Sequence, residues 1–142
     1  MATFEGTITN GQIIIVAAIS VSGTGGNPTF FDALLDTGSQ VTMISAKVVN
    51  AIGLQAIGHM SIIPVTGGSH QTKKYRARID IPIVSQTVFK GMVIGPQNVL
   101  RGMDLDVGTL PYVPNNHDVL LGMDFLSAFH ITLFGNRFIL SN

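Results

Sequence analysis

The sequence of 142 residues contains no cysteine, and charged residues make up only 11% of it. The absence of cysteine excludes disulfide scaffolds and thiolate catalysis, and it leaves the redox compartment open because such a chain folds in either environment. Eight acidic residues balance eight basic ones, which argues against nucleic acid or an anionic membrane as the main partner. The 46% hydrophobic content predicts apolar surface that a second chain covers.

Long hydrophobic runs are also missing. The longest apolar run, Ile13 to Val21, is too short to span a bilayer, and it lacks the basic leader of a signal peptide. We therefore interpret it as a buried strand and expect a cytoplasmic protein that has no contact with membranes.

Metal-binding patterns are absent as well. The four histidines, His59, His70, His117 and His130, show no ligand spacing such as His-Glu-x-x-His. No combination of serine, histidine and acid suggests a nucleophilic triad. We therefore expect neither a metal ion nor any other cofactor.

The sequence that is present alternates short apolar segments with glycine, proline and asparagine, which predicts strands joined by turns. One short helix is predicted from Ala46 to Ile52, because Ser45 can cap its start and Gly53 can end it. The stretch from Phe89 to His117 is rich in glycine and proline, and we interpret it as one or two strands plus a long loop. Residues 1–142 are therefore predicted to form a single all-β domain with one or two short helices.

The most informative segment is the tetrapeptide Asp36–Ser39, with the sequence Asp-Thr-Gly-Ser. It follows the apolar run Phe30–Leu35, which is typical of a buried strand. A strand that ends in an acid, a hydroxyl and a glycine delivers a carboxylate to a tight turn, where it can act on a water molecule. The alternative is an aspartate that merely caps a turn through its own backbone.

A second signal is the apolar strand Val119–Leu121, which runs into Gly122 and then into a short amphipathic helix. An ordinary strand-to-helix connection has the same pattern. In order along the chain, however, the segments Leu34–Ser39 and Leu120–Gly122 resemble the retropepsin-like aspartic protease family, in particular its single-domain bacterial members. The resemblance implies a closed acid-protease barrel, equivalent to half of a pepsin-like bilobal unit.

The resemblance also implies roles for individual residues. Asp36 is the expected catalytic acid, and Thr37, Gly38 and Ser39 complete its turn, with Thr37 bonding across a two-fold axis. Leu121 and Gly122 form the second structural strand. The residues expected to contact a polypeptide substrate are Leu34, Val65, Thr66, Gly67, Gly68 and Leu120.

The hydrolytic chemistry requires a homodimer. Two carboxylates must surround one water, one taking its proton and the other donating to the scissile carbonyl. The chain contains a single Asp-Thr-Gly, so a second copy must supply the other aspartate about a two-fold axis. The terminal segments Ala2–Thr9 and Phe138–Leu140 are candidates for a sheet shared between the subunits.

The strands Met60–Val65 and Tyr75–Val84 are predicted to flank a glycine-containing tip, which resembles the family's flap over bound peptide. A plain surface hairpin is the alternative. Lys74, Arg76 and Arg78 fall on one face of the outgoing strand. That face is interpreted as solvated, and selection of acidic substrates is the alternative.

The chain departs from the viral members at three positions. Gln40 and Met123 replace an acid and an arginine, so the salt bridge that these residues make near the dimer interface is not expected. Ser39 replaces the commoner alanine, and its hydroxyl is expected to stabilise the ionised form of Asp36.

We predict an aspartic endopeptidase that is active as a homodimer. A catalytically silent peptide-binding or dimerisation module on the same fold is the alternative, since fold does not fix function. The intact Asp36, Thr37 and Gly38 favour the enzyme, because a binding module has no need of the carboxylate. A small monomeric barrel with an exposed Asp36 is a third possibility.

Overall fold

The computed structural model describes residues 2–23, 27–64 and 67–142, and of residues 86–89 and 93–94 it describes the backbone alone. The strands along this part of the chain are β1 (Ala2–Thr7), β2 (Ile14–Val21), β3 (Thr29–Leu35), β4 (Met43–Ile44), β5 (Ala56–Ile62), β6 (His70–Phe89), β7 (Met92–Thr109), β8 (Val119–Leu121), β9 (His130–Phe134) and β10 (Arg137–Ser141). The helices are α1 (Ala46–Ile52) and α2 (Met123–Leu126). Within the described residues, neither helix is long and apolar enough to cross a membrane.

The core of the molecule is a closed barrel. Its strand order is β2-β3-β8-β4-β7-β6, and β6 pairs again with β2 to close the ring. Alternate side chains on the strands point inward, and Ala17, Ile19, Ile79 and Ile81 are completely buried. The prediction of an all-β, retropepsin-like barrel with two short helices is therefore confirmed.

Helix α1 has the predicted limits and the predicted caps. The Ser45 hydroxyl accepts a hydrogen bond from the Val48 amide at 3.4 Å, which satisfies one of the free donors of the first turn. At the other end Gly53 adopts a left-handed φ of 76°, and its amide donates to the Val49 carbonyl. Val48 is the residue that anchors the helix in the core.

The prediction of one or two strands plus a long loop between residues 89 and 117 agrees with the structure. Strand β7 occupies 18 residues of this stretch and pairs antiparallel with β6 along nearly its whole length. The connection is a two-residue turn in which Lys90 and Gly91 both have positive φ, as a tight hairpin requires. Only the segment between Thr109 and Val119 is a long connection.

Glycines within β7 permit close packing and do not end the strand. A Cβ atom on Gly102 would collide with the carbonyl oxygen of Ile79. A Cβ atom on Gly108 would approach the side chains of Met60 and Thr72 to 2.9 Å. Glycine inside a strand often marks such an approach of neighbouring atoms, and sequence alone does not separate this from a turn.

The two terminal strands pair with each other inside one chain. Strand β1 lies between β6 and β10, and β10 lies between β1 and β9. Among the described strands, β9 therefore forms the edge of the sheet. Its side chains Leu133 and Phe134 are 60% and 48% exposed.

We predict that Gly102→Ala destabilises the protein by about 3 kcal/mol, because the new methyl group meets backbone atoms that cannot move aside. Urea unfolding measures the change. Asn98→Ala, an exposed position on the same strand, is the matched control and should cost less than about 0.5 kcal/mol. Equal stabilities of the two variants would refute the close approach.

Candidate active site

Asp36 lies at the end of strand β3, at the mouth of the barrel. Strand β3 pairs in parallel with β8 through Leu34↔Leu120 and Leu35↔Leu121. The Asp36 amide continues this ladder by donating to the Leu121 carbonyl at 3.0 Å. The position of the carboxylate is thus set by the hydrogen bonds of the barrel itself.

The Asp-Thr-Gly-Ser turn holds one oxygen of this carboxylate. The Gly38 amide donates to Asp36 Oδ1 at 2.9 Å, and the Ser39 amide donates to the Asp36 carbonyl at 3.1 Å. Thr37 and Gly38 are exposed, and Asp36 is partly buried. No described group hydrogen-bonds to Asp36 Oδ2, so one oxygen is fixed and the other is available to a ligand.

The residues that follow strand β8 contact the segment that follows the turn. Gly122 follows β8, and a Cβ atom there would lie 2.7 Å from the backbone of Val41. The segment after the Asp-Thr-Gly-Ser turn therefore crosses directly over Gly122, which only glycine allows. The Met123 amide donates to the Ser39 carbonyl at 2.8 Å, and the Asp124 amide donates to the Gln40 carbonyl at 3.2 Å.

A pair of polar side chains, the buried Thr42 and the partly buried Asp124, holds this crossing together. Asp124 accepts hydrogen bonds from the Thr42 amide at 3.0 Å and from the Thr42 hydroxyl at 2.6 Å. The Thr42 hydroxyl in turn accepts from the Gly122 amide at 3.1 Å. Since Thr42 is completely buried and the acceptor is a carboxylate, these bonds belong to the strong, charge-assisted class.

The sequence reasoning gave no role to Thr42 or Asp124. They are 82 positions apart, and no local pattern joins them. The available signal was an acid in the first turn of a helix, a position that favours negative charge. Asp124 also accepts from the Phe125 amide at 2.8 Å.

The Ser39 hydroxyl does not act as expected. It donates to the Val41 carbonyl at 2.8 Å and thus braces the crossing segment, not the Asp36 carboxylate. Its position two residues from Val41 makes this local bond easy to form. Met123 is exposed, and the link between the turn and α2 is made by backbone groups and Asp124.

Two predicted substrate-binding residues lie side by side. Leu34, Leu120 and Met43 are paired across β3, β8 and β4, and residues paired in this way share one face of a sheet. We call these three residues the apolar row. Leu120 and Met43 pack with Leu110, Val41 and Ile62 in a small separate cluster.

The hairpin of β5 and β6 reaches this cluster, because Ile62 belongs to β5. The last strand pair before the tip of this hairpin is Ile62↔His70. Gly67 and Gly68 at its tip are exposed and have φ values of 84° and 78°, which suit glycine. The predicted flap residues Val65 and Thr66 lie outside the described residues.

Two of the basic side chains on β6, Arg76 and Arg78, are paired with acids of the sheet. Arg76 contacts Asp106 at 3.1 Å, and Arg78 contacts Asp80 at 2.9 Å. The hydrogen bond to Asp80 raises the pKa of Arg78 above its ordinary value. The solvated-face interpretation of these residues fits this arrangement.

We predict that Asp124→Ala lowers the free energy of unfolding by about 2–4 kcal/mol, because it leaves the buried Thr42 amide and hydroxyl without an acceptor. Asp106→Ala is the control. It removes an exposed ion pair and should cost about 0–1 kcal/mol. Chemical denaturation of both variants gives the comparison, and a similar cost for the two would contradict the role of Asp124.

Comparison with known proteins agrees with this geometry. The chain resembles the crystal structure of a retropepsin-like aspartic protease from Rickettsia conorii, with a TM-score of 0.55 and 13% sequence identity over 97% of this chain and 89% of that one. No curated protein sequence matches the chain. A sequence profile described as aspartyl protease matches residues 18–125, which include the Asp-Thr-Gly turn, Gly122 and Asp124. The chain therefore belongs to the aspartyl protease family.

Proposed function

We propose that the protein is an aspartic endopeptidase that cleaves extended polypeptides as a homodimer. The observation that carries the proposal is the Asp36 carboxylate, which has Oδ1 fixed by the Gly38 amide and no described partner at Oδ2. A carboxylate held in this way on a rigid barrel is oriented before substrate arrives, as catalysis requires.

The proposed mechanism uses one Asp36 from each subunit. Two carboxylates about 3 Å apart share one proton, because like charges at that distance do not both ionise. The ionised aspartate takes a proton from the bound water while the water oxygen attacks the peptide carbonyl. The protonated aspartate donates to the carbonyl oxygen, on which negative charge develops. The first aspartate then gives the proton that it took from water to the leaving nitrogen, the C–N bond breaks, and the second aspartate takes back a hydroxyl proton as the carboxylic acid forms.

The turn and the apolar row supply the remaining parts. We assign Thr37 to a hydrogen bond across the two-fold axis, a role that its exposure at the turn supports. Leu34 and Leu120 are assigned to a pocket for an apolar substrate side chain. Gly38 and the glycines of the hairpin tip, Gly67 and Gly68, leave room for the substrate backbone, which is bound by main-chain hydrogen bonds.

Strand β9 is the proposed seam between the subunits. It carries no charged residue and no proline, the features by which proteins usually protect an exposed edge. The loop Gly135–Asn136 is flanked by the pair Phe134↔Arg137, which exchanges hydrogen bonds in a two-residue hairpin. By alternation the backbone groups of Ile131 and Leu133 point to the free edge.

A two-fold axis through Thr132 satisfies these groups. Ile131 then pairs with Leu133 of the partner subunit, and Thr132 faces Thr132 of the partner subunit as a non-hydrogen-bonded pair. The sheet continues from one subunit into the other, and the exposed Leu133 becomes covered. The two subunits share a sheet in this arrangement, as the sequence predicted, but β9 and not the terminal strands forms the seam.

The first test of the function is Asp36→Asn, an isosteric change that removes the charge. We expect the rate of cleavage of a denatured protein substrate near pH 5 to fall at least about 100-fold, while the oligomeric state stays the same. Asp106→Asn is the control and should retain activity. Unchanged cleavage by the Asp36→Asn protein would refute the catalytic role. Peptide binding by the wild-type protein without any cleavage products would indicate the catalytically silent binding module.

The seam is tested by Thr132→Cys, since the natural chain contains no other cysteine. Two Cα atoms facing each other in a non-hydrogen-bonded pair are about 4.5 Å apart, within the range of a disulfide. Mild oxidation should therefore link most of the protein into dimers on a non-reducing gel. Thr29→Cys, an exposed position on β3, is the control. Equal cross-linking of the two variants would exclude β9 as the seam.

A further inference from the structure

A cavity of about 620 Å³ adjoins the apolar row. Asp32 lies on β3, two residues before Leu34 and on the same face of the sheet. Across the sheet, Asp32 is opposite Asp118, which comes just before β8, and Asp118 is opposite Ser45, which comes just after β4. The Asp118 amide donates to the Asp32 carbonyl at 2.9 Å, and the Ser45 amide donates to the Asp118 carbonyl at 2.8 Å. These three residues line the cavity, and the chain segment from Leu110 to Asp118 forms its other wall.

The two carboxylates of the cavity differ in their partners. Asp118 accepts from the Ser45 hydroxyl at 3.1 Å and contacts the Lys47 ammonium at 3.3 Å. The carboxylate of Asp32, which is exposed, has no hydrogen bond or ion pair with any described residue. Burial lowers the pKa of His117, which lies in this wall, and so favours its neutral form. Two acids against one lysine leave the cavity with one uncompensated negative charge.

Leu110 connects the cavity to the apolar row. Leu110 packs with Leu120 and Met43 of the apolar cluster and also lines the cavity. Asp32 and Leu34 are two residues apart on β3, which corresponds to about 6.6 Å along a strand. An extended peptide has the same spacing between side chains on one side. A peptide that runs along β3 and places one side chain on Leu34 and Leu120 therefore brings the side chain two positions away to Asp32.

We propose that Asp32 makes this cavity a subsite for a lysine or arginine side chain of the substrate, two positions from the apolar residue that Leu34 and Leu120 accept. The inference rests on the proposed peptidase function and adds a substrate preference to it. A basic side chain buries its methylene stem against Leu110 and keeps its charged end at Asp32. The basic residues of β6 do not compete for Asp32, because Arg76 and Arg78 are paired with other acids.

The test compares peptides that are identical except for lysine or norleucine at one position, moved stepwise along the peptide. Norleucine keeps the stem and removes the charge. For the wild type we expect kcat/KM to favour lysine about 2- to 5-fold at the position that reaches Asp32 on each side of the scissile bond, because the two-fold axis gives the dimer two such subsites. The effect should act mainly through KM and disappear in high salt. Asp32→Asn should bring the ratio close to one.

Two further variants sharpen the result. Asp32→Lys should reverse the preference, so that a glutamate peptide is favoured over norleucine at the same position. Asp106→Asn removes an equally exposed acid on β7 and should leave the lysine preference intact. The proposal is overturned if lysine and norleucine peptides are equivalent at every position, or if the preference survives in Asp32→Asn.

A binding measurement separates this inference from the proposed function. Fluorescently labelled lysine and norleucine peptides are titrated with the Asp36→Asn protein, which does not consume them. Tighter binding of the lysine peptide that requires Asp32 supports the subsite even if no peptide is ever cleaved, a result that would refute the peptidase alone. Equal binding of both peptides would refute the subsite alone, whatever the wild type cleaves.

Discussion

The arrangement of the site depends on one crossing, in which the segment after Asp36 passes over Gly122. The backbone of Val41 lies where a Cβ atom of residue 122 would be. Asp124 and Thr42 then join the two segments through hydrogen bonds to a carboxylate. Thr42 is buried, so breaking these bonds leaves its amide and hydroxyl unsatisfied. Because the Asp-Thr-Gly-Ser turn immediately precedes this crossing, the position of Asp36 follows from the packing of the barrel.

Much of the architecture was predictable where local chemistry decides it. The cap at Ser45 and the left-handed Gly53 fixed both limits of α1, and the apolar residues before Asp36 indicated a buried strand. The order of the Asp-Thr-Gly turn and the later Leu-Leu-Gly segment was enough to identify the retropepsin-like barrel. In each case the deciding residues are neighbours in sequence, so that propensity, capping and burial all favour one structure.

The features that escaped prediction depend on contacts between distant residues. Gly102 marks a strand lying against the carbonyl of Ile79, a contact that no local pattern indicated. Thr42 and Asp124 carried no joint signal, because their bond forms only after the barrel closes. The terminal strands were expected at a subunit seam, and the structure gives both of them partners within the chain. Pairing partners of this kind are set by topology, which sequence patterns restrict but do not determine.

Each chain contains a single Asp-Thr-Gly turn. The central claim is therefore that the active site belongs to two chains and not to one. Subunit mixing tests this claim most directly. Wild-type and Asp36→Asn proteins are mixed in several ratios, unfolded together and refolded. The activity of each mixture is divided by the amount of wild-type protein that it contains. If each site needs an aspartate from both chains, the activity per wild-type subunit falls with the wild-type fraction, to about one half in an equal mixture. An activity per wild-type subunit that stays constant at every mixing ratio would contradict the account.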